Sequence, residues 1–465
     1  MAAEAKGSAA DGGGVSSTEY GKTASFLAIG VGLTGVITYV YFFIASHVLS
    51  KPDYGEITVV WSAVFITVST LYRPVDQLLS RHISENLAKG ESPRAPTLVA
   101  TKIQLCLAAG FAAVALILRG PIEDGLLSGN ETLYWVFLLA VLFYAASYFA
   151  RGYLAGHRRF GLFATMILSE SVFRTSFAVL VAVGLLSGQS AVAIGIVAAP
   201  SLSLLVVPIA FGLQSRQSPV AATEPARQKA SEFSLGTGTG FVAAVLVIML
   251  GEQILFNAGP LIVRSLEGAA AAGFIFNVLM IARAPLQLFQ AVSTSILPHL
   301  TSLHASEEEG SEDEFHRSVR MVLAAIAAFT AVVAVAVLIA GPQLMQLAFS
   351  DKFSYDRAGL LLVTLGMGLY LSSVTVNQAC LAQGQVRRAS GRWALCAAFF
   401  VVWCFLAPIA EEFRRVEVGF AVAALLLLGL LYLVYRRPRE RPEDIPAAGS
   451  SEELEAQLAA ADEGA

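Results

Sequence analysis

The chain has 465 residues, 56% of them hydrophobic and only 14% charged, against about 25% charged in soluble domains. So few charges cannot cover a globular surface of this size, which excludes an ordinary soluble enzyme or binding module and calls for an apolar solvent. The net charge of −4 decides nothing, because in a membrane protein the placement of charge outweighs its sum.

Residues 1–22 are polar, rich in Gly, Ser and Ala, and lack the charged start and short apolar core of a signal peptide. They read as a disordered cytoplasmic tail. Apolar runs of about 20 residues, enough to cross the hydrocarbon layer as helices, follow at about 24–46, 57–79, 99–118, 132–154, 162–186 and 190–212. Their continuity favours helices over the ten-residue alternation of membrane strands. A polar stretch at 213–233, with Pro219 and Pro225, reads as a cytoplasmic linker. Six more runs lie at about 237–260, 270–297, 317–340, 357–380, 391–408 and 416–435. An acidic run from Glu307 to Glu314 reads as a solvated loop. The expectation is an all-α integral membrane protein of about twelve transmembrane helices in two six-helix lobes, 23–212 and 234–436, ending in a cytoplasmic tail, 437–465.

Orientation follows from the cations. About 21 of the 31 Lys and Arg fall in the N-tail, the even-numbered loops and the C-tail, among them Arg81, Arg151, Arg158, Arg159 and Arg436. About 7 fall in the odd-numbered loops. The bias puts both termini in the cytoplasm. A weak internal repeat supports the division: Tyr54-Gly55 opens the second helix as Ala272-Gly273 opens the eighth, and Leu154-Ala155-Gly156-His157 ends the fourth as Leu381-Ala382-Gln383-Gly384 ends the tenth. Six helices per half make this a parallel repeat, as in many transporters.

No enzyme motif is present. Gly21-Lys22-Thr23 ends like a phosphate loop, but position 16 is Ser where that motif needs Gly. Cys106, Cys380, Cys396 and Cys404 stand singly in apolar stretches and read as small hydrophobes. His299, His304 and His316 are too loosely spaced for a metal site. The expectation is therefore no catalytic residues, no metal and no cofactor.

The informative residues are charges at membrane depth, each costing about 2.5–3.5 kcal/mol at a helix centre unless it faces a cavity or a partner. They are Arg73 and Asp76 in the second helix, Glu170 and Arg174 in the fifth, Glu252 in the seventh and Arg283 in the eighth. Glu170 and Arg174 stand four apart, where a local ion pair satisfies both. Arg73 stands three before Asp76, close enough to the cytoplasm to snorkel. Arg283 has no acid within four residues, and Pro285 should kink its helix. Glu252 is offered as its partner across the lobes or as a proton site. Polar companions include Asn257, Asn277, Gln287 and Asn377, while the third, sixth, ninth and twelfth helices are drier and read as a lipid-facing scaffold. Guanidinium is always charged and its planar fork fits phosphate oxygens. Arg283, Arg73 and Arg174, with Asn257 and Gln287, are thus candidate substrate-binding residues of a cationic cavity between the lobes. Glu252, Asp76 and Glu170 are the candidates for ion coupling.

Three stretches carry a family resemblance: Leu49-Ser50-Lys51-Pro52-Asp53-Tyr54-Gly55, Ile296-Leu297-Pro298 with Leu300, and Leu344 to Phe353. With the 6+6 plan they make the chain, from about Tyr20 to Arg436, resemble the polysaccharide-transport branch of the MOP (multidrug/oligosaccharidyl-lipid/polysaccharide) flippase superfamily. Ser350 stands where that branch usually has Gly. The resemblance implies a V-shaped transporter working by alternating access in the bacterial inner membrane. Its cargo would be polyprenyl-diphosphate-linked oligosaccharide, moved from the cytoplasmic to the outer leaflet for surface polysaccharide biosynthesis, as in the O-antigen (Wzx-like) flippases. Membrane lipids and a polysaccharide polymerase or glycosyltransferases are the implied partners, and nucleic acid is not one. A cation-coupled multidrug exporter of the same superfamily is the alternative. A membrane glycosyltransferase or polymerase would need working acids on its outer loops, and Glu123, Asp124, Glu411 and Glu412 stand in short ones.

Overall fold

The computed structural model describes residues 17–208, 235–284, 311–350, 352–353, 355–409 and 411–436. The expected linker 213–233, the tail 437–465, residues 1–16, Pro285, Gln287, the Ile296-Leu297-Pro298 motif, His299 and His304 lie outside them.

Among the described residues the regular structure is entirely helical. The helices are α1 (Ser17–Val48), α2 (Lys51–Leu71), α3 (Arg73–Ala88), α4 (Arg94–Ile117), α5 (Glu131–Gly156), α6 (Phe160–Ala182), α7 (Gly188–Ser203), α8 (Leu235–Glu267), α9 (Ala269–Ala284), α10 (Ser311–Phe349), α11 (Arg357–Ala382), α12 (Val386–Leu406) and α13 (Glu412–Tyr435). α1 begins inside the stretch expected to be a tail. Among the described residues ten spans are long and apolar enough to cross a membrane, and Gly32–Val48 and Ala269–Ala284 are shorter apolar helices where the first and eighth spans were expected. The chain is a multi-pass helical membrane protein.

Local sequence explains the punctuation. Ser50, Asn130 and Asp356 cap α2, α5 and α11 by accepting from backbone N–H groups of the first turn, which supplies partners that a helix start otherwise lacks. The second expected span is two helices rather than one. The chain breaks at Tyr72 (φ −108°, ψ −28°), and Pro74 follows in the first turn of α3, where its missing N–H costs no bond.

The described residues fall into two compact units. One takes those within Met1–Glu232 together with Pro260–Asn277 and Met345–Phe353; the other takes those within Phe233–Gly259, Val278–Leu344 and Ser354–Ala465. α8 changes unit at the Gly259-Pro260 step, and α10 does so just after Gly341-Pro342.

In the first unit α6 packs on α1 and α7, and α5 packs on α2, α3, α4 and α7. The approach of α3 to α5 needs glycine: a Cβ on Gly152 would lie 2.7 Å from the Asp76 carbonyl oxygen, and one on Gly156 would lie 2.7 Å from the Ile83 Cβ. Gly55 and Gly273, the two glycines of the sequence repeat, meet in this unit, and a Cβ on Gly273 would come 2.9 Å from the Gly55 Cα. Beside them the Tyr54 hydroxyl donates to Asn277, and Phe42 packs on Phe276. In the second unit α11 and α12 pack on α13.

α4 and α10 are the least buried spans, with Leu105, Ile117, Ile339 and Leu347 exposed, as expected of the third and ninth helices. α7 and α13 were also expected to face lipid, but each span is about half buried, because α7 is sandwiched by α5 and α6 and α13 by α11 and α12.

Candidate functional site

The polar core of the first unit is built on one face of α5. Tyr144, Ser147 and Arg151 follow one another at helical spacing, and all three reach Glu170 in the middle of α6. The Tyr144 hydroxyl donates to Oε1 at 2.7 Å, the Ser147 hydroxyl to Oε2 at 3.4 Å, and the Arg151 guanidinium forms an ion pair with Oε2. The guanidinium carbon of Arg151 also lies 4.6 Å from the Tyr148 ring centroid. The local pair between Glu170 and Arg174 is therefore not what forms. The carboxylate turns to α5, whose three donors engage both of its oxygens.

Arg174, one turn further along α6, turns to α1 and α2. Its Nη2 donates to the Thr38 hydroxyl at 3.0 Å, and its guanidinium carbon lies 4.5 Å from the Trp61 ring and 5.9 Å from that of Tyr41. It is 3% exposed, and its Nε and Nη1 have no hydrogen-bond partner among the described residues. Aromatic faces attract a guanidinium but accept none of its in-plane N–H bonds. The result is a buried cation with donors held ready.

Asp76 stands in the first turn of α3, its backbone against Gly152 and its side chain within electrostatic reach of Arg151 and Arg73. Arg73 lies half-buried where α2 gives way to α3. The first unit thus gathers Arg73, Asp76, Glu170 and Arg174 in neighbouring helices, and adds Arg151. With both carboxylates ionised, the set carries one surplus positive charge. Arg151 was assigned to a cytoplasmic loop from the sequence; it lies inside α5. The stripe Tyr144–Ser147–Arg151 was the available signal.

The second unit treats its candidates differently. Asn257 donates to Gln253 one turn back on α8 at 3.0 Å, so its amide is engaged within its own helix. Glu252 lies half-buried on the same helix. Arg283 serves the backbone: its Nη2 donates to the Phe256 carbonyl at 3.4 Å, and its guanidinium carbon lies 4.1 Å from the Phe256 ring. Pro260 stands four residues after Phe256 and has no N–H to give it. Arg283 thus supplies the donor that the helix lacks.

Sequence reasoning also missed Glu417, on α13, which is 0% exposed. Its Oε2 pairs with Arg414 at 3.0 Å, and Arg414 reaches on to the α11 cap, Asp356, at 2.9 Å. Partial burial works against ionisation of Asp356, but Arg414 and the backbone N–H groups of Gly359 and Ala358 outweigh it and hold the carboxyl below its usual range. The i,i+3 spacing of Arg414 and Glu417 was the signal. Among the described residues no group of His, Cys, Asp and Glu gathers as metal ligands. The four cysteines are unpaired, three of them buried.

No family model and no curated protein matches the sequence. Solved structures do match. An inward-facing multidrug resistance MATE family transporter of the MOP superfamily aligns with TM-score 0.64 at 12% identity, over 86% of this chain and 94% of that one. A mutant of a Vibrio cholerae MATE transporter gives 0.54 at 15% identity, over 90% and 97%. A eukaryotic MATE transporter gives 0.54 at 15% identity, over 90% and 95%. The chain has the fold of the MATE transporters of the MOP superfamily.

Proposed function

We propose that this protein is an alternating-access transporter whose cargo is anionic, a polyprenyl-diphosphate-linked oligosaccharide carried from the cytoplasmic to the outer leaflet. The fold shared with MATE transporters supports the transport part of this reading. The cargo rests on one observation, the buried Arg174 guanidinium with two N–H-bearing nitrogens left unpartnered. Guanidinium to phosphate is a charge-assisted and often bidentate contact, and a low-dielectric surrounding strengthens it. Alternating access about such a site would let the diphosphate headgroup cross while its lipid tail stays in the bilayer.

A second reading is favoured by a separate observation. Glu170 and Asp76 stand within apolar spans of the first unit, and such acids suit a cation-coupled exporter of cationic drugs. The two readings part in proteoliposomes. The first predicts that the wild-type protein flips a labelled polyprenyl-diphosphate sugar and leaves a lipophilic cation where it is. Movement of the cation and not of the sugar lipid would transfer the case to the drug exporter.

A further inference from the structure

We infer that Arg151 is a positioning residue for the anion, keeping Arg174 available by holding Glu170 away from it. The inference rests on the anionic-cargo reading and says what makes that site work.

On α6 alone, Glu170 and Arg174 stand at i and i+4, the spacing at which a carboxylate and a guanidinium pair. A pair there would neutralise the one cation that the proposed cargo needs. The fold prevents this from the neighbouring helix. α5 presents a hydroxyl to each Glu170 oxygen, from Tyr144 and Ser147, and a guanidinium to one of them. Arg151 cancels the charge, and the hydroxyls fix the direction. Arg174 is left with the Thr38 hydroxyl and the Trp61 face, neither of which carries a negative charge. One carboxylate stands between two arginines, and the donors of α5 decide which of them it neutralises.

Loss of Arg151 removes this bias. Glu170 would then be a buried anion with no cation on α5, a state that is costly in a low-dielectric surrounding. The nearest cation on its own helix is Arg174, and a change of side-chain rotamer brings them together. The anion site closes without any movement of the backbone. Removing the Glu170 charge as well should open it again, an outcome that a merely structural role for Arg151 does not produce.

The test uses the full chain in nanodiscs and a short-chain polyprenyl diphosphate as the probe, with the uncharged polyprenol of the same length as control. Arg151→Gln should weaken diphosphate binding about tenfold or more, the worth of one hydrogen bond to a charged group, and leave polyprenol binding as it was. Arg151→Lys, which keeps the charge, should stay near wild type. Arg151→Gln combined with Glu170→Gln should return the affinity toward wild type. Diphosphate binding by Arg151→Gln equal to wild type, or a double variant as weak as the single one, overturns the inference. Should Arg151→Gln fail to fold, Glu170→Gln alone decides: it should bind the diphosphate at least as tightly as wild type, and weaker binding overturns the inference. Failure of the underlying function looks different, since the wild type would then show no preference for diphosphate over polyprenol, or Arg174→Gln would bind as wild type does.

Discussion

Pro260 lies inside a membrane span and takes from Phe256 the N–H that would ordinarily close one helical turn. Arg283 donates to that carbonyl from α9 and lays its guanidinium on the Phe256 ring, while Phe256 packs on Tyr370 with ring centroids 4.3 Å apart. Arg283→Ala removes both interactions. A carbonyl left without a donor away from water costs about 1–3 kcal/mol, and the ring contact adds about 0.5–2 kcal/mol, so a loss of about 1.5–5 kcal/mol is expected. Pro260→Ala returns an N–H to Phe256. In that background Arg283→Ala no longer strands the Phe256 carbonyl, leaving a coupling of about 1–3 kcal/mol between the two sites. The cycle is measured by equilibrium unfolding in mixed micelles, followed by tryptophan fluorescence. Costs that add to within about 0.5 kcal/mol, as for independent sites, would refute the claim that Arg283 serves the carbonyl freed by Pro260.

Other expectations follow from close packing and buried charge. A Cβ on Gly55 would lie 1.7 Å from the Ala269 carbonyl oxygen, a backbone atom with no rotamer to change. Gly55→Ala should therefore cost at least the usual overpacking penalty of about 1–3 kcal/mol, whereas Gly32→Ala, with nothing within 4 Å, should be neutral or better; thermal unfolding in detergent compares them. Glu170→Ala strands Arg151 and should cost about 3–5 kcal/mol, while Arg151→Met with Glu170→Met should cost far less, read by the same micelle unfolding. The Asp356 carboxyl is held below its unfolded value of 3.8, so the stability it adds is present above that value and is lost as pH falls through the lower folded one. The stability gap between wild type and Asp356→Asn should be flat near neutrality and close below about pH 4, as a series of unfolding curves would show.

Hydropathy made the spans legible, because a helix that faces lipid has to be apolar whatever its neighbours are. The break at Tyr72 was half legible in Arg73-Pro74, which marks a helix start as readily as a kink. The charges were legible as ionisable groups inside apolar stretches, but the partner of Glu170 was misread. Spacing along one helix shows which side chains share a face, and so it offered Arg174 to Glu170. The actual partner, Arg151, comes from a neighbouring helix, and no count along α6 contains it. Arg283 stood out because no acid lies near it in sequence. One of its partners is a backbone carbonyl, and the clue was Pro260, four residues beyond Phe256. Asn257 was engaged at i−4 by Gln253, a pairing that the sequence does contain.

The most direct test of the central claim is flipping of a labelled polyprenyl-diphosphate sugar in proteoliposomes, comparing the wild type with Arg174→Gln in protein that is equally folded. Movement by the wild type and a loss of about tenfold or more in the variant is the predicted result. Equal transport by the two would contradict it, because a buried guanidinium that can be neutralised without effect is not what holds the cargo.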